Sequence, residues 1–390
     1  MRILFTFIGG SGHLEPLVPI ARAAAAEGHT VAFGCGPSMA SIVEAADFTV
    51  FVLGTGTPSA PQRLPLRTLD LAREEQEFRD RFARRGAQDR APRTIALCAE
   101  WQPDVLVCDE TDFGGMVAAE RVGIPYATVL VLAAGSFVRT EVVGEALNEL
   151  RAEHGLPPDP ELAMLSRYLV LSPFPPSFRD PAFPLPATAH SLRPLARDPA
   201  RNDTAPSWLT RLDDAPIVYF TLGTVFNLES GDLFQRVLAG LRDLPINLVV
   251  TVGRDIDPQE FGPQPANVRI ERYIPQSLLL PHCRLVVSHG GSGSIMGALA
   301  HGLPTVLIPL GAEQPLNAAR CEALGVARVL DPIETTPQMA RQAVSTVLVD
   351  PAYRRAAERL RDEIDTLPGP EYAIMLLERL TAEKSGLFSA

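Results

Sequence analysis

The chain has 390 residues, 46% hydrophobic and 21% charged; it is too long for one ordinary core, and its composition excludes a disordered, fibrous or membrane-embedded protein. Its 35 basic and 46 acidic residues leave a net charge of −11, which argues against nucleic-acid or anionic-membrane partners. The sole lysine, Lys384, stands past the last strong periodic segment, excluding Schiff-base, P-loop and kinase-type lysine chemistry, and five scattered cysteines form neither a disulfide framework nor a zinc pattern.

The run RILFTFI (2–8) predicts a first strand, followed by a glycine turn, a helix over 14–27 ending at Gly28, and a second strand from Thr30. The chain enters that strand without a long apolar leader, and no stretch reaches about 18 apolar residues, so a cytoplasmic protein is expected. The mixed-sign run 73–90 has helical spacing and reads as a solvated helix face. VLVC (105–108), a helix around 112–122 and YATVLVL from Tyr126 repeat the strand–helix–strand grammar. Short, fully apolar strands of this kind belong to parallel sheets covered on both faces. From about 173 to 206 the chain is proline-rich and aperiodic, the composition of an irregular surface segment and linker.

Alternation then restarts with IVYFTLG (217–223), a helix over about 230–242, INLVVTVG (246–253), VRIER (268–272), LVVSHGG (285–291), a helix to about 301 and TVLIPL (305–310). A last helical stretch, 351–384, is broken at Pro368-Gly369-Pro370. The expectation is an α/β protein of two Rossmann-like doubly wound domains facing across a cleft, with ligands at the carboxyl ends of the strands. The domains are expected at 1–205 and 206–368, with 369–390 a terminal helix crossing back to the first.

The loop after the first strand, Gly9-Gly10-Ser11-Gly12-His13-Leu14-Glu15-Pro16, is no dinucleotide fingerprint, because Glu15 stands where a small residue is required. It does place His13 at a helix start beside a strand's carboxyl end, where the side chain could be a polar capping group or a catalytic base. A carboxylate would orient such a base. Asp109, directly after VLVC, is best placed, with Glu110 and Asp112 as competitors and Asp112 read as a helix cap. In the second half, Ser288-His289-Gly290-Gly291-Ser292-Gly293-Ser294 follows a strand and opens a helix, an arrangement suited to a diphosphate. Thr221-Leu222-Gly223-Thr224-Val225 ends another strand and could reach the same phosphate or be a simple tight turn.

Taken together, Gly12-His13 with Pro16, TLGTVFN (221–227), YIPQ (273–276), His289 to Ser294, Gly302-Leu303-Pro304 and IPLGAEQPLNA (308–318) resemble a GT-B-fold nucleotide-sugar glycosyltransferase. The narrower resemblance is to the actinobacterial branch that glycosylates macrolide, polyketide and enediyne antibiotics. It spans nearly the whole chain, with 273–318 the specific part. It implies that Tyr273 stacks on the nucleotide base, that Ile274 and Gln276 line the nucleoside site, and that Thr224, His289, Gly291, Ser292, Gly293 and Ser294 bind the diphosphate. It implies further that Glu313 and Gln314 contact the donor sugar, that His13 is the general base and that Asp109 orients it. Eight residues after His289, where many UDP-sugar users carry a ribose-binding Glu, stands Gly297, which leans toward a dTDP-sugar.

Asp255-Ile256-Asp257 spells a metal-binding D-x-D but reads as a solvated turn, and His29, His154, His190 and His301 read as structural. The expected activity is an inverting, metal-independent transfer of a sugar, with a deoxysugar favoured, from a dTDP-sugar or else a UDP-sugar. The expected acceptor is a hydroxyl of a hydrophobic natural-product aglycone, and domain closure would assemble the two halves. No cofactor beyond the co-substrate is expected, no nucleic-acid or membrane partner, and a monomer or homodimer. The rivals are a same-fold sugar-nucleotide epimerase or hydrolase and a non-catalytic sugar-nucleotide-binding partner.

Overall fold

A computed structural model describes residues 1–54, 62–194 and 204–388. They form two compact units, one from the described residues within 1–59, 72–195 and 366–390, the other from those within 60–71 and 196–365. The stretch 195–203, just before the expected junction at 205/206, lies outside the described residues. Residues 62–71 come from the first half of the sequence yet belong to the second unit. There the Leu64 N–H donates to the Leu228 carbonyl at 2.8 Å and Arg63 forks onto Glu260.

The first unit carries seven strands: β1 (Arg2–Thr6), β2 (Thr30–Cys35), β3 (Thr49–Val52), β4 (Val105–Asp109), β5 (Tyr126–Val129), β6 (Leu169–Ser172) and β7 (Ala189–Ser191). Their order is β3-β2-β1-β4-β5-β6-β7, all parallel. Ile3, Leu4 and Phe5 of β1 and Val105, Leu106 and Val107 of β4 are fully buried, as strands covered on both faces require. The order reverses between β1 and β4, which pair Thr6 with Cys108. Their carboxyl ends therefore emerge side by side, the position at which doubly wound sheets bind ligands. Helix Pro370–Glu383 packs on helix Leu17–Ala26 and adds Ala373, Ile374, Leu376, Leu377 and Leu380 to this core.

The second unit carries β8 (Ile217–Thr221), β9 (Asn247–Thr251), β10 (Val268–Glu271), β11 (Cys283–Ser288), β12 (Thr305–Leu307) and β13 (Ala327–Val329). They form one parallel sheet in the order β10-β9-β8-β11-β12-β13, reversing between β8 and β11, where Thr221 pairs with Ser288. Among the described residues no helix is long and apolar enough to cross a membrane.

Four differences from the sequence reading have local causes. The helix expected over 14–27 is two pieces, Ser11–Leu14 and Leu17–Ala26, divided at Glu15-Pro16, so His13 sits inside a separate short turn. The strand expected through Leu132 stops at Val129, because the N–H groups of Val131 and Leu132 leave the sheet for the Glu110 carboxyl. The stretch 173–206 is not irregular throughout, since Ala189–Ser191 pairs with β6. The run 73–90 is helical but not simply a solvated face: Phe78, Ala83 and Arg90 are buried, and Arg79–Gly86 is wound as a π-helix.

Candidate active site

In the first unit, β1 runs out at Thr6 and the chain turns through Gly9, whose φ of +116° and lack of a Cβ let it lie against the His13 ring. A Cβ at Gly9 would fall 2.6 Å from Cδ2 of His13. The turn Ser11–Leu14 then presents His13 toward the end of β4. Its Nδ1 lies 3.5 Å from Oδ2 of Asp109, and the carboxylate is wholly buried while the imidazole is 19% exposed. One partner is thus fixed and the other reachable from outside. Asp109 Oδ2 accepts the Ile8 N–H at 2.9 Å, and Oδ1 accepts both the N–H and the hydroxyl of Thr111 at 2.6 Å.

Thr111, which sequence reasoning did not single out, also brings its hydroxyl to 3.2 Å from Nδ1 of His13. Phe82 was also missed, hidden inside the charged run. Its ring stacks on the imidazole with centroids 5.6 Å apart and planes at 26°, and the Arg81 guanidinium lies over Phe82. π-Helical turns of this kind recur at functional sites. This one closes on Ile8 through Gly86, where a Cβ would meet the Ile8 side chain at 2.4 Å.

The two competing carboxylates have other tasks. Asp112 caps helix Phe113–Val122 by accepting the Gly115 N–H and lies 3.7 Å from Arg90. Burial pushes its carboxyl above the ordinary value, against the opposing charge of Arg90. Glu110 turns to the segment after β5, where burial raises its carboxyl to about 7, against the opposing charge of Arg179 and the N–H bonds of Val131 and Leu132.

In the second unit, the ends of β8 and β11 bring the Thr221–Val225 turn and the Ser288–Ser294 loop together. The His289 ring fills the space between them: a Cβ on Gly223 or on Gly291 would lie 2.6 Å from its Nε2. Burial lowers the His289 pKa to about 4. The ring is therefore neutral at pH 7 and adds no charge to this loop. Helix Ser292–Ala300 starts at Gly291 with no side chain capping it, which leaves its first turn pointing at this loop. Thr224 and Gly293 are exposed beside it, and Ser294 is half-buried.

Ser292 is buried and already engaged, donating to Glu313 at 3.4 Å and accepting from Asn317 at 3.1 Å. Asn317, also unforeseen, is wholly buried and holds the Gly290 carbonyl as well. Gln314 is buried, and its Oε1 accepts the N–H groups of Leu310 and Gly311. Only its amide nitrogen could serve a sugar. Tyr273 is 52% exposed with Arg254 5.0 Å over its ring, and Ile274 is buried beside it. Gly297 faces Gln276 and Leu280, whose side chains would stand 3.2 and 3.1 Å from a Cβ there.

Asp257 caps the turn Pro258–Phe261 and lies 3.5 Å from Arg272, while Asp255 is exposed. His190 binds the Tyr372 hydroxyl at 3.0 Å. Among the described residues, one group has three side chains close enough to share a metal ion: Glu27, His29 and Glu378 in the first unit, with ligand atoms within 4.8 Å. This grouping was not visible as a sequence spacing, because Glu378 comes from the last helix.

Residues 235–380 match the family described as erythromycin biosynthesis protein CIII-like, C-terminal domain. The chain is 31% identical to 4'-demethylrebeccamycin synthase of Lentzea aerocolonigenes, over 97% of this chain and 99% of that one. It is 29% identical to tylactone mycaminosyltransferase of Streptomyces fradiae, over 98% and 93%. Its structure is similar to that of the spinosyn rhamnosyltransferase SpnG complexed with thymidine diphosphate, with a TM-score of 0.81 at 25% identity over 97% and 100%.

Proposed function

The chain belongs to the family of actinobacterial antibiotic glycosyltransferases and has their GT-B fold, and from that premise we propose that it moves a deoxysugar from a dTDP-sugar to a hydroxyl of a hydrophobic aglycone, with inversion and without a metal. The observation that carries this reading is the buried Asp109 beside the reachable His13, at the switch point of the first sheet. His13 takes the hydroxyl proton as the oxygen attacks the anomeric carbon. The bond from that carbon to the diphosphate oxygen breaks, and its electron pair leaves with the nucleotide. Donors aimed at the developing charge stabilise the leaving group, here the N–H groups opening helix Ser292–Ala300 with the hydroxyls of Thr224 and Ser294.

The neutrality of His289 supports this division of labour, because the imidazole adds shape and one N–H rather than charge. Tyr273 offers an exposed aromatic face for the base, and Glu313 with the Gln314 amide nitrogen would bind sugar hydroxyls. Gly297 supports the thymidine nucleotide, because it gives a ribose 2′-hydroxyl no carboxylate and Gln276 and Leu280 occupy its neighbouring space. The complex of SpnG with thymidine diphosphate favours the same nucleotide.

Thermal unfolding with added nucleotides tests the donor class, because a ligand of the native state raises the melting temperature. dTDP is expected to raise it more than UDP. Equal or reversed shifts would remove the nucleotide assignment and leave the fold untouched.

A further inference from the structure

We infer that Thr111 is a positioning residue that fixes the tautomer of His13, so that Asp109 acts on the imidazole through a hydroxyl as well as by direct charge. The inference rests on the reading of His13 as the base. The argument turns on where one proton sits. The Thr111 Oγ1 is 2.6 Å from Asp109 Oδ1 and 3.2 Å from His13 Nδ1. Two oxygens at 2.6 Å need a proton between them, and a carboxylate has none to give. The threonine hydroxyl therefore donates to Asp109 and presents only lone pairs to His13. Nδ1 must then carry the ring proton and donate it to Thr111, which leaves Nε2 as the basic nitrogen.

The direct His13–Asp109 distance of 3.5 Å is long for a hydrogen bond. Thr111 supplies the shorter contact, and the carboxylate supplies the charge that stabilises an imidazolium. The chain is held from behind, because Asp109 also takes the N–H groups of Ile8 and of Thr111 itself. Phe82 restricts the ring from one face. Valine at 111 keeps the branched shape and removes the hydroxyl, whereas serine keeps the hydroxyl and loses a methyl. These two variants separate hydrogen bonding from packing.

The test is ¹⁵N NMR of histidine-labelled full-length protein at a pH where the ring is neutral, with His13 assigned by the loss of its signals in His13→Gln. The wild type is expected to show His13 with the proton on Nδ1. Thr111→Val should move the tautomer population toward the Nε2-protonated form, and Thr111→Ser should keep the wild-type pattern. Unchanged signals of His29, His154 and His190, all in the first unit with Thr111, report in the same samples that the variant is folded. A wild-type His13 protonated on Nε2, or a folded Thr111→Val with an unchanged pattern, would overturn the assignment. Failure of His13 as a base would show separately, as retained turnover in His13→Ala with the tautomer unaltered in the wild type.

Discussion

The ring of His289 lies over Gly223 so closely that a Cβ on the glycine would stand 2.6 Å from Nε2 and Cε1. Gly223 also adopts a φ of +78°, so the turn after β8 can approach the His289 ring this closely because it carries no side chain there. Gly223→Ala should therefore cost about 1 kcal/mol or more of stability from backbone strain alone. It should also weaken dTDP binding by displacing the imidazole. Gly291→Ala presses on the same ring without a positive φ, so it should weaken dTDP binding with a smaller loss of stability. Calorimetric titration and denaturant unfolding of the two variants check this; unchanged dTDP affinity in both would separate His289 from the donor site.

The buried groups His289 and Glu110 give opposite pH signatures. The folded chain holds His289 near 4 against an ordinary 6.5, so its contribution to stability is complete above 6.5 and lost as pH falls toward 4. Glu110 is held near 7 against 4.5, so its contribution is complete below 4.5 and lost as pH rises through 7. Each slope is at most roughly 1.4 kcal/mol per pH unit, and the two oppose each other between 4.5 and 6.5. Relative to wild type, His289→Gln should lose stability as pH rises through that window and Glu110→Gln should gain it. Parallel curves for all three proteins in urea unfolding would contradict the burial argument.

Gly297→Glu should reduce the stabilisation by dTDP, because Gln276 and Leu280 must yield to any Cβ and the new carboxylate faces a deoxyribose with no 2′-hydroxyl. An unsatisfied buried polar group costs about 1–3 kcal/mol, which sets the expected loss in binding. Titration with dTDP and UDP checks it. Unaltered dTDP affinity would place the sugar ring of the nucleoside away from this helix.

Removal of divalent ions should leave turnover unchanged, because the proposed phosphate site is built from N–H groups and hydroxyls. Asp257→Ala should cost stability of about 1 kcal/mol through the lost cap, with turnover intact. An activity abolished by EDTA and restored by Mg²⁺ or Mn²⁺ would return Asp255 and Asp257 to the candidate site.

Where the candidate residues sit in the fold was legible because each position follows from a local pattern: an apolar strand, a glycine turn, a helix start. Asp109 ends β4 and His13 lies in the short turn that follows β1, so adjacency of the two strands was enough to bring them together. Thr111, Phe82 and Asn317 were not legible for three physical reasons. The threonine matters through a hydroxyl aimed at a residue 98 positions away. The phenylalanine sits among charges, on a π-helical stretch that a 3.6-residue period does not anticipate. The asparagine lies within a quoted motif, but its hold on Gly290 and Ser292 depends on a close loop contact. The short strands β7 and β13 escaped notice because AHS and ARV are three-residue edge segments without alternation.

The central claim is that His13 is the base for sugar transfer, and it is tested most directly by kcat of His13→Ala on an aglycone that the wild type glycosylates, with dTDP affinity measured alongside. A positioned general base is worth roughly 10²- to 10⁴-fold, so kcat should fall by that much while dTDP binding is unchanged. Asp109→Asn should cost less, and the two losses should be far from additive, as for residues that act as one unit. A His13→Ala enzyme with near-wild-type kcat, or one that has lost dTDP binding, would contradict the account.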